Sequence, residues 1–355
     1  MRALPVLDQA PEAPPPPRWP AARYLADVKN VLQAQVALRY KRVYLPSLFA
    51  HYSVNSVCNL RCSYCYVSQP QIVPAGFTLR GLPLERAKRV LRTLREECIA
   101  LRLLGGEPLL YREIPELVRY ARRELRYWHV SIITNGLALE RRRDDWDELF
   151  EDLDLLTLSI DRTRLAEYPD EMRRLTAYLP ELLKLARARR VAMTLNYTAT
   201  WEELAEPQLV RDAVAPYRPY FSSVYVVPVR EAGKTPLPLL RAALALNGEL
   251  SWMRSYAGDR VPEENVAWYV ENCDPKLKIK VDPQGGLVYP CENHSFSAGS
   301  LESHTIRELW GAQLSHYPNE SCVGCGKQRF RSHAVKQPLR SLALGWGSRK
   351  ARPHD

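Results

Sequence analysis

The chain has 355 residues, 46% hydrophobic and 25% charged, enough to bury an ordinary globular core and to exclude both a mini-protein scaffold and disorder along the whole length. Lys and Arg number 50 against 40 Asp and Glu, a net charge of +10, which favours acidic partners but is not by itself evidence for nucleic acid. No apolar run of about 18 residues occurs, and Met1 to Pro20 lacks a charged-then-apolar signal pattern. A transmembrane segment and secretion are therefore not expected, and a cytoplasmic protein is. In that setting eight cysteines read as metal ligands before disulfides.

Residues 1–23 form a proline-rich lead, with Pro14 to Pro17 in a row, a composition that favours extended, solvated chain. Residues 24–46 contain Leu25, Val28, Leu32 and Val36 at helical spacing, predicting an amphipathic helix that closes the end of a barrel. A peripheral membrane contact is its minor alternative. From Phe49 the pattern alternates. Short apolar runs at Phe49 to Val54, Leu101 to Leu104, Val130 to Thr134, Leu155 to Ile160, Met193 to Tyr197 and Val224 to Val227 predict six strands. Helix-period segments between them, such as Leu84 to Ile99 and Leu175 to Ala188, make this an α/β chain of βαβ units with a parallel sheet. In a barrel of such units the chemistry sits on loops leaving the strands' C-terminal ends. We place this region at 47–235 and a smaller C-terminal unit at 236–330. That unit begins with a helix over Leu237 to Tyr256 and contains a hairpin from Leu277 to Tyr289, turned at Asp282-Pro283-Gln284-Gly285-Gly286. Residues 331–355 form a basic tail.

Directly after the first predicted strand come Cys58, Cys62 and Cys65, with Tyr64 before the third. Three thiolates within eight residues can hold a metal or cluster and leave a fourth position open, the arrangement that separates catalytic from structural metal sites. A zinc completed by a distant ligand is the alternative. The second strand runs into Gly105-Gly106-Glu107-Pro108, the third into Thr134-Asn135-Gly136, and the fourth ends at Ser159-Ile160-Asp161. The two glycines let the backbone approach a ligand closely. Ser159 and Asp161 have helix capping as their structural alternative, and Asn196 on the fifth strand is a weaker candidate.

The three-cysteine spacing with its aromatic, followed by Gly-Gly-Glu-Pro, resembles the radical S-adenosylmethionine (SAM) superfamily. That resemblance implies a partial (β/α)6, TIM-like barrel. It implies a 4Fe-4S cluster on Cys58, Cys62 and Cys65, whose open iron takes the methionine part of SAM. It also implies reductive cleavage to a 5′-deoxyadenosyl radical that abstracts hydrogen from a substrate C–H bond. Tyr64, Gly105, Gly106, Glu107, Pro108, Asn135, Ser159 and Asp161 are carried over as cofactor-binding candidates, and a low-potential donor such as ferredoxin or flavodoxin as electron source.

Four further cysteines, Cys273, Cys291, Cys322 and Cys325, suffice for a closed site: a structural zinc or a fully ligated cluster. Their spacing, with Gly286 before Cys291, resembles the SPASM and twitch extensions of radical SAM enzymes. As no cysteine follows Cys325, the resemblance implies one auxiliary 4Fe-4S cluster. Cys98 shares an apolar helix face with Leu91 and Leu94 and reads as a buried thiol. His51, His294 and His304 are acid–base candidates without a demanding spacing, and Tyr225, Arg230, Glu231 and Lys234 could face a substrate from the barrel mouth.

An auxiliary cluster without a free iron suits a redox transformation. The segment before Ser47 reads as too short for a peptide-leader domain, favouring a small-molecule or lipid substrate over a ribosomal peptide undergoing thioether or carbon–carbon cross-linking. RNA modification by the same chemistry is a further alternative. From a different class, a zinc-binding, nucleic-acid-binding protein would account for the distal cysteines and the basic tail but not for Gly-Gly-Glu-Pro.

Overall fold

The computed structural model describes residues 25, 27–29, 49–65, 81–141, 143–229, 237–250, 278–283, 288–289 and single positions between 299 and 309. One eight-stranded sheet organises them, in the order β6-β5-β4-β3-β2-β1-β7-β8. The strands are β1 (Phe49–Ser53), β2 (Ala100–Leu104), β3 (His129–Thr134), β4 (Leu155–Ser159), β5 (Ala192–Ala199), β6 (Ser223–Pro228), β7 (Lys278–Val281) and β8 (Val288–Tyr289). Seven are parallel and β8 runs antiparallel to β7. The result is an α/β fold with an unclosed, partial barrel.

The six expected strands all form, and the sheet has one parallel strand more. β7, the first arm of the hairpin assigned to the C-terminal unit, pairs with β1 in parallel, Phe49 opposite Lys278 and Tyr52 opposite Val281. The edge of β1 thereby gains a ladder for its backbone polar groups.

Each strand has two dissimilar faces. Towards the helices point Ala50, Leu103, Ile132, Leu156, Leu195 and Val226, all wholly buried. Helix Leu84–Arg95 meets this layer with Ala87, Val90, Leu91 and Leu94, spaced as one helical stripe; each such leucine contributes about 1.5–3 kcal/mol by leaving water. Cys98 is buried as expected, although the helix ends at Arg95 and the thiol lies in the turn before β2. Helix Pro169–Ala188 starts six residues before the predicted Leu175. Pro169 opens it with Asp170 and Glu171 in the first turn, the residues that a helix N-terminus favours.

The barrel-facing side is polar. Register aligns His51 with Arg102 and Lys280, Thr157 with Thr194, and Ser159 with Asn196 and then Tyr225.

At residues 25–29 the amphipathic reading is reversed. Leu25 is 72% exposed and Val28 40%, whereas Asp27 is buried. Its carboxylate takes two bonds from the buried Arg95 guanidinium, at 3.0 and 2.6 Å, and Arg95 Nε donates to Leu125 O at 3.0 Å. A charge-assisted, two-pronged pair fixes which side of this segment faces the protein. Among the described residues no helix is long and apolar enough to cross a membrane.

Candidate active site

Cys58, Cys62 and Cys65 lie on the loop that leaves the C-terminal end of β1. The loop is tied down in sequence order. Val54 N–H bonds Leu104 O, continuing the ladder, and the loop then runs alongside the Gly105–Glu107 turn in the same direction, with Gly106 N–H to Asn55 O at 2.9 Å and Glu107 N–H to Val57 O at 2.7 Å. A Cβ on Gly105 would stand 2.4 Å from Asn55 O, and one on Gly106 would stand 2.4 Å from Val57 O. The close approach these glycines permit is thus to the chain's own cysteine loop. Further on, Arg61 N–H donates to the Tyr168 hydroxyl at 2.8 Å and Ser63 N–H to Glu167 at 3.2 Å, so helix Arg162–Glu167 and its C-cap hold the loop from the far side.

Glu107 is fully buried and acts as a bracket. Its carboxylate accepts from Thr134 Oγ1 at 2.6 Å, Asn135 N–H at 2.8 Å and Leu109 N–H at 3.0 Å, locking the turn after β2 to the end of β3. Burial pushes its pKa up and these three donors pull against that shift. Asn135 extends the link: its Nδ2 donates to Asn59 Oδ1 at 2.8 Å and lies 3.8 Å from the Cys58 sulfur.

The second wall is built on Asp161, which is wholly buried. It caps helix Arg162–Glu167 through Arg164 N–H at 2.9 Å, pairs with the Arg164 guanidinium at 3.0 Å, and accepts from the Tyr64 hydroxyl at 2.5 Å. Burial, the largest influence, raises the Asp161 pKa, against Arg164 and Tyr64. The guanidinium lies 5.4 Å from the Tyr64 ring centroid, and its positive charge acts on the Cys62 thiol to lower its pKa.

The residue Cys58 is exposed, but its sulfur is turned to Leu60 N–H at 3.4 Å and to Asn135. Desolvation pushes its thiol up to about 11, against the Leu60 hydrogen bond. Burial also raises the Cys62 thiol, with Arg164 opposing. The three cysteines share one eight-residue loop, and Cys65 N–H bonds Cys62 O at 2.9 Å. Among the described residues no three His, Cys, Asp or Glu converge on a single metal ion, whereas a cubane spreads three cysteine sulfurs over three irons. Asn55 Oδ1, beside Gly105, is a buried acceptor with no hydrogen-bond partner, as a site awaiting an ammonium donor requires. Three grouped thiols beside an orphaned acceptor fit a cluster with SAM.

Ser159, Asn196 and Tyr225 form one row across β4, β5 and β6 on the barrel-facing side. His51 lies in the middle of β1, and His304 is exposed. His294, Arg230, Glu231, Lys234 and all four distal cysteines, Cys273, Cys291, Cys322 and Cys325, lie outside the described residues. Sequence reasoning missed Arg164 and Asn55, and it named Thr134 within the Thr134-Asn135-Gly136 motif without giving it a role. The i,i+3 spacing of Asp161 and Arg164 signals a pair on one helix turn, but nothing local to Arg164 points to Cys62.

Residues 52–199 match the Radical SAM superfamily model. The chain carries a radical SAM domain. Among curated proteins, the S-adenosylmethionine-dependent nucleotide dehydratase RSAD2 of Danio rerio is 34% identical over 116 residues, covering 31% of this chain and 30% of that protein. The GTP 3′,8-cyclase of Cronobacter sakazakii is 36% identical over 98 residues, covering 27% and 29%. The chain therefore spans under a third of the length of these two relatives. The solved structure "Native anSMEcpe with bound AdoMet" shares the fold, with a TM-score of 0.57 at 16% identity over 85% of this chain and 95% of that one. The family implies SAM and a 4Fe-4S cluster.

Proposed function

We propose that this protein is a radical SAM enzyme whose cluster is held by Cys58, Cys62 and Cys65, and that it transforms a small polar molecule bound in the barrel. The single observation that carries the reading is the loop after β1: three grouped thiols at the C-terminal mouth of a parallel barrel, in a domain that matches the superfamily. The bound cluster and SAM would supply one-electron cleavage of a sulfonium bond and a carbon radical able to take hydrogen from a C–H bond. This chain's residues do the rest. The positive charge of Arg164 favours the Cys62 thiolate, against the effect of burial. Asn135 positions the loop at Cys58, Glu107 locks the two turns that face it, and Asn55 Oδ1 is the acceptor for the SAM ammonium group. Tyr64, Asp161 and Ser159 line the wall on which the rest of SAM would lie.

The polar barrel-facing rows favour a hydrophilic substrate over a lipid. An auxiliary 4Fe-4S cluster on Cys273, Cys291, Cys322 and Cys325 belongs to the same proposal, on the resemblance of their spacing, together with a redox outcome and a ferredoxin- or flavodoxin-type donor. Anaerobic reconstitution followed by reduction with dithionite should yield 5′-deoxyadenosine from SAM. Cys62→Ala should reduce this to background; undiminished product from that variant contradicts the reading.

A further inference from the structure

The turn after β3 is fixed from two sides. Gly136 N–H donates to Thr134 Oγ1 at 2.9 Å, and the Gly136 carbonyl accepts from the Tyr178 hydroxyl of helix Pro169–Ala188. Gly136 has φ +83°, in the left-handed region that glycine tolerates, and a Cβ there would stand 2.8 Å from Leu175 Cδ1. Helix and turn close on each other at this glycine, and the residue before it, Asn135, faces the cysteine loop.

Asn135 is 5% exposed, and its amide has one orientation. Leu137 N–H donates to Oδ1 at 3.0 Å, which identifies that atom as the oxygen. The two hydrogens of Nδ2 are left for Asn59 Oδ1, at 2.8 Å, and for the Cys58 sulfur, at 3.8 Å. The same sulfur takes Leu60 N–H at 3.4 Å. One donor belongs to the backbone, whatever residue stands there; the other exists because position 135 is asparagine. A hydrogen bond to sulfur strengthens as the sulfur gains negative charge, and the burial of Asn135 adds to the effect.

We infer that Asn135 is a positioning residue that sets the cluster's reduction potential: its side-chain amide donates an N–H···S bond to the Cys58 thiolate and raises that potential. This rests on the reading of Cys58, Cys62 and Cys65 as cluster ligands. Reduction moves one electron from the low-potential donor onto the cluster; no bond breaks and no proton moves. The added charge is shared with the cysteine sulfurs, so a donor held at one of them stabilises the reduced state more than the oxidised one, the direction in which hydrogen bonds to cluster sulfurs act. The role is exerted through Cys58 and needs no contact with SAM.

The test is an EPR-monitored redox titration of the full-length, anaerobically reconstituted protein without SAM. Asn135→Asp keeps an acceptor for Leu137 N–H and replaces the donor by a carboxylate oxygen. It should shift the reduction equilibrium toward the oxidised form by about tenfold or more, which is about 59 mV for one electron. Asn135→Ala removes the donor without adding charge and should shift the equilibrium the same way by about threefold. Iron content and the SAM response of the wild type check the ligand reading. A wild type without a SAM-responsive cluster removes that reading and the inference with it, whereas a SAM-responsive wild type whose potential is unchanged in both variants overturns the inference alone. An Asn135 that served SAM instead would give this second result, with weakened SAM affinity. Should neither variant hold a cluster, the wild type decides: with asparagine side-chain amides labelled with nitrogen-15, pulsed EPR of the reduced cluster should show a weak nitrogen coupling, and its absence overturns the inference.

Discussion

The two faces of the barrel sheet obey different rules. On the helix side, Leu156, Leu158 and Leu195 are wholly buried among apolar neighbours, and their worth is packing. On the other side of the same strands, Thr157, Ser159, Thr194 and Asn196 carry hydroxyls and an amide on the inner face, where Thr157 and Thr194 bond each other at 2.9 Å. A strand that alternates in this way commits one face to stability and leaves the other available for chemistry. The difference locates function on the face that the core does not need.

The comparison breaks most readily on the helix side. Leu156→Ala should cost about 2–5 kcal/mol in denaturant unfolding, and a loss below 1 kcal/mol would mean that this face is not the core. Glu107→Ala, at the mouth, should cost about 1–3 kcal/mol by leaving Thr134, Asn135 and Leu109 donors without their acceptor; iron content should fall with it, because the cysteine loop loses its lock. On the inner face Thr194→Val should change stability by about 1 kcal/mol or less, and a loss as large as that at Leu156 would erase the distinction. The smallest effect is kinetic. In metal-free protein Cys58, pushed up to about 11, should be alkylated slowly at neutral pH. Its rate should rise about tenfold per pH unit up to that value, whereas an ordinary cysteine levels off about two units lower. Mass-spectrometric labelling at several pH values reads this directly.

Much of the inner geometry was legible in the sequence because it is local. Strands β1 to β6 announce themselves as short apolar runs between helical stripes, and the cysteine spacing and Gly-Gly-Glu-Pro are contiguous. The parts that were not legible depend on pairings across long separations. The register of Lys278–Val281 against Phe49–Tyr52 spans most of the barrel's sequence, and no local period encodes it. At Leu25 and Val28 the apolar spacing pointed one way, but the buried Asp27–Arg95 pair sets which side faces in. The glycines of Gly105-Gly106 were read as making room for a ligand; the room they make is for Asn55 and Val57. Arg164 is an ordinary helix residue in sequence, and only folding brings it to Cys62.

The central claim is an open cluster on Cys58, Cys62 and Cys65 that takes SAM directly. Its most direct test is the EPR spectrum of anaerobically reconstituted, reduced protein before and after addition of SAM, in the wild type and in Cys62→Ala. The account predicts a cluster signal that changes with SAM in the wild type and is missing from the variant. A wild-type spectrum indifferent to SAM, or a SAM-responsive signal that survives Cys62→Ala, would contradict it.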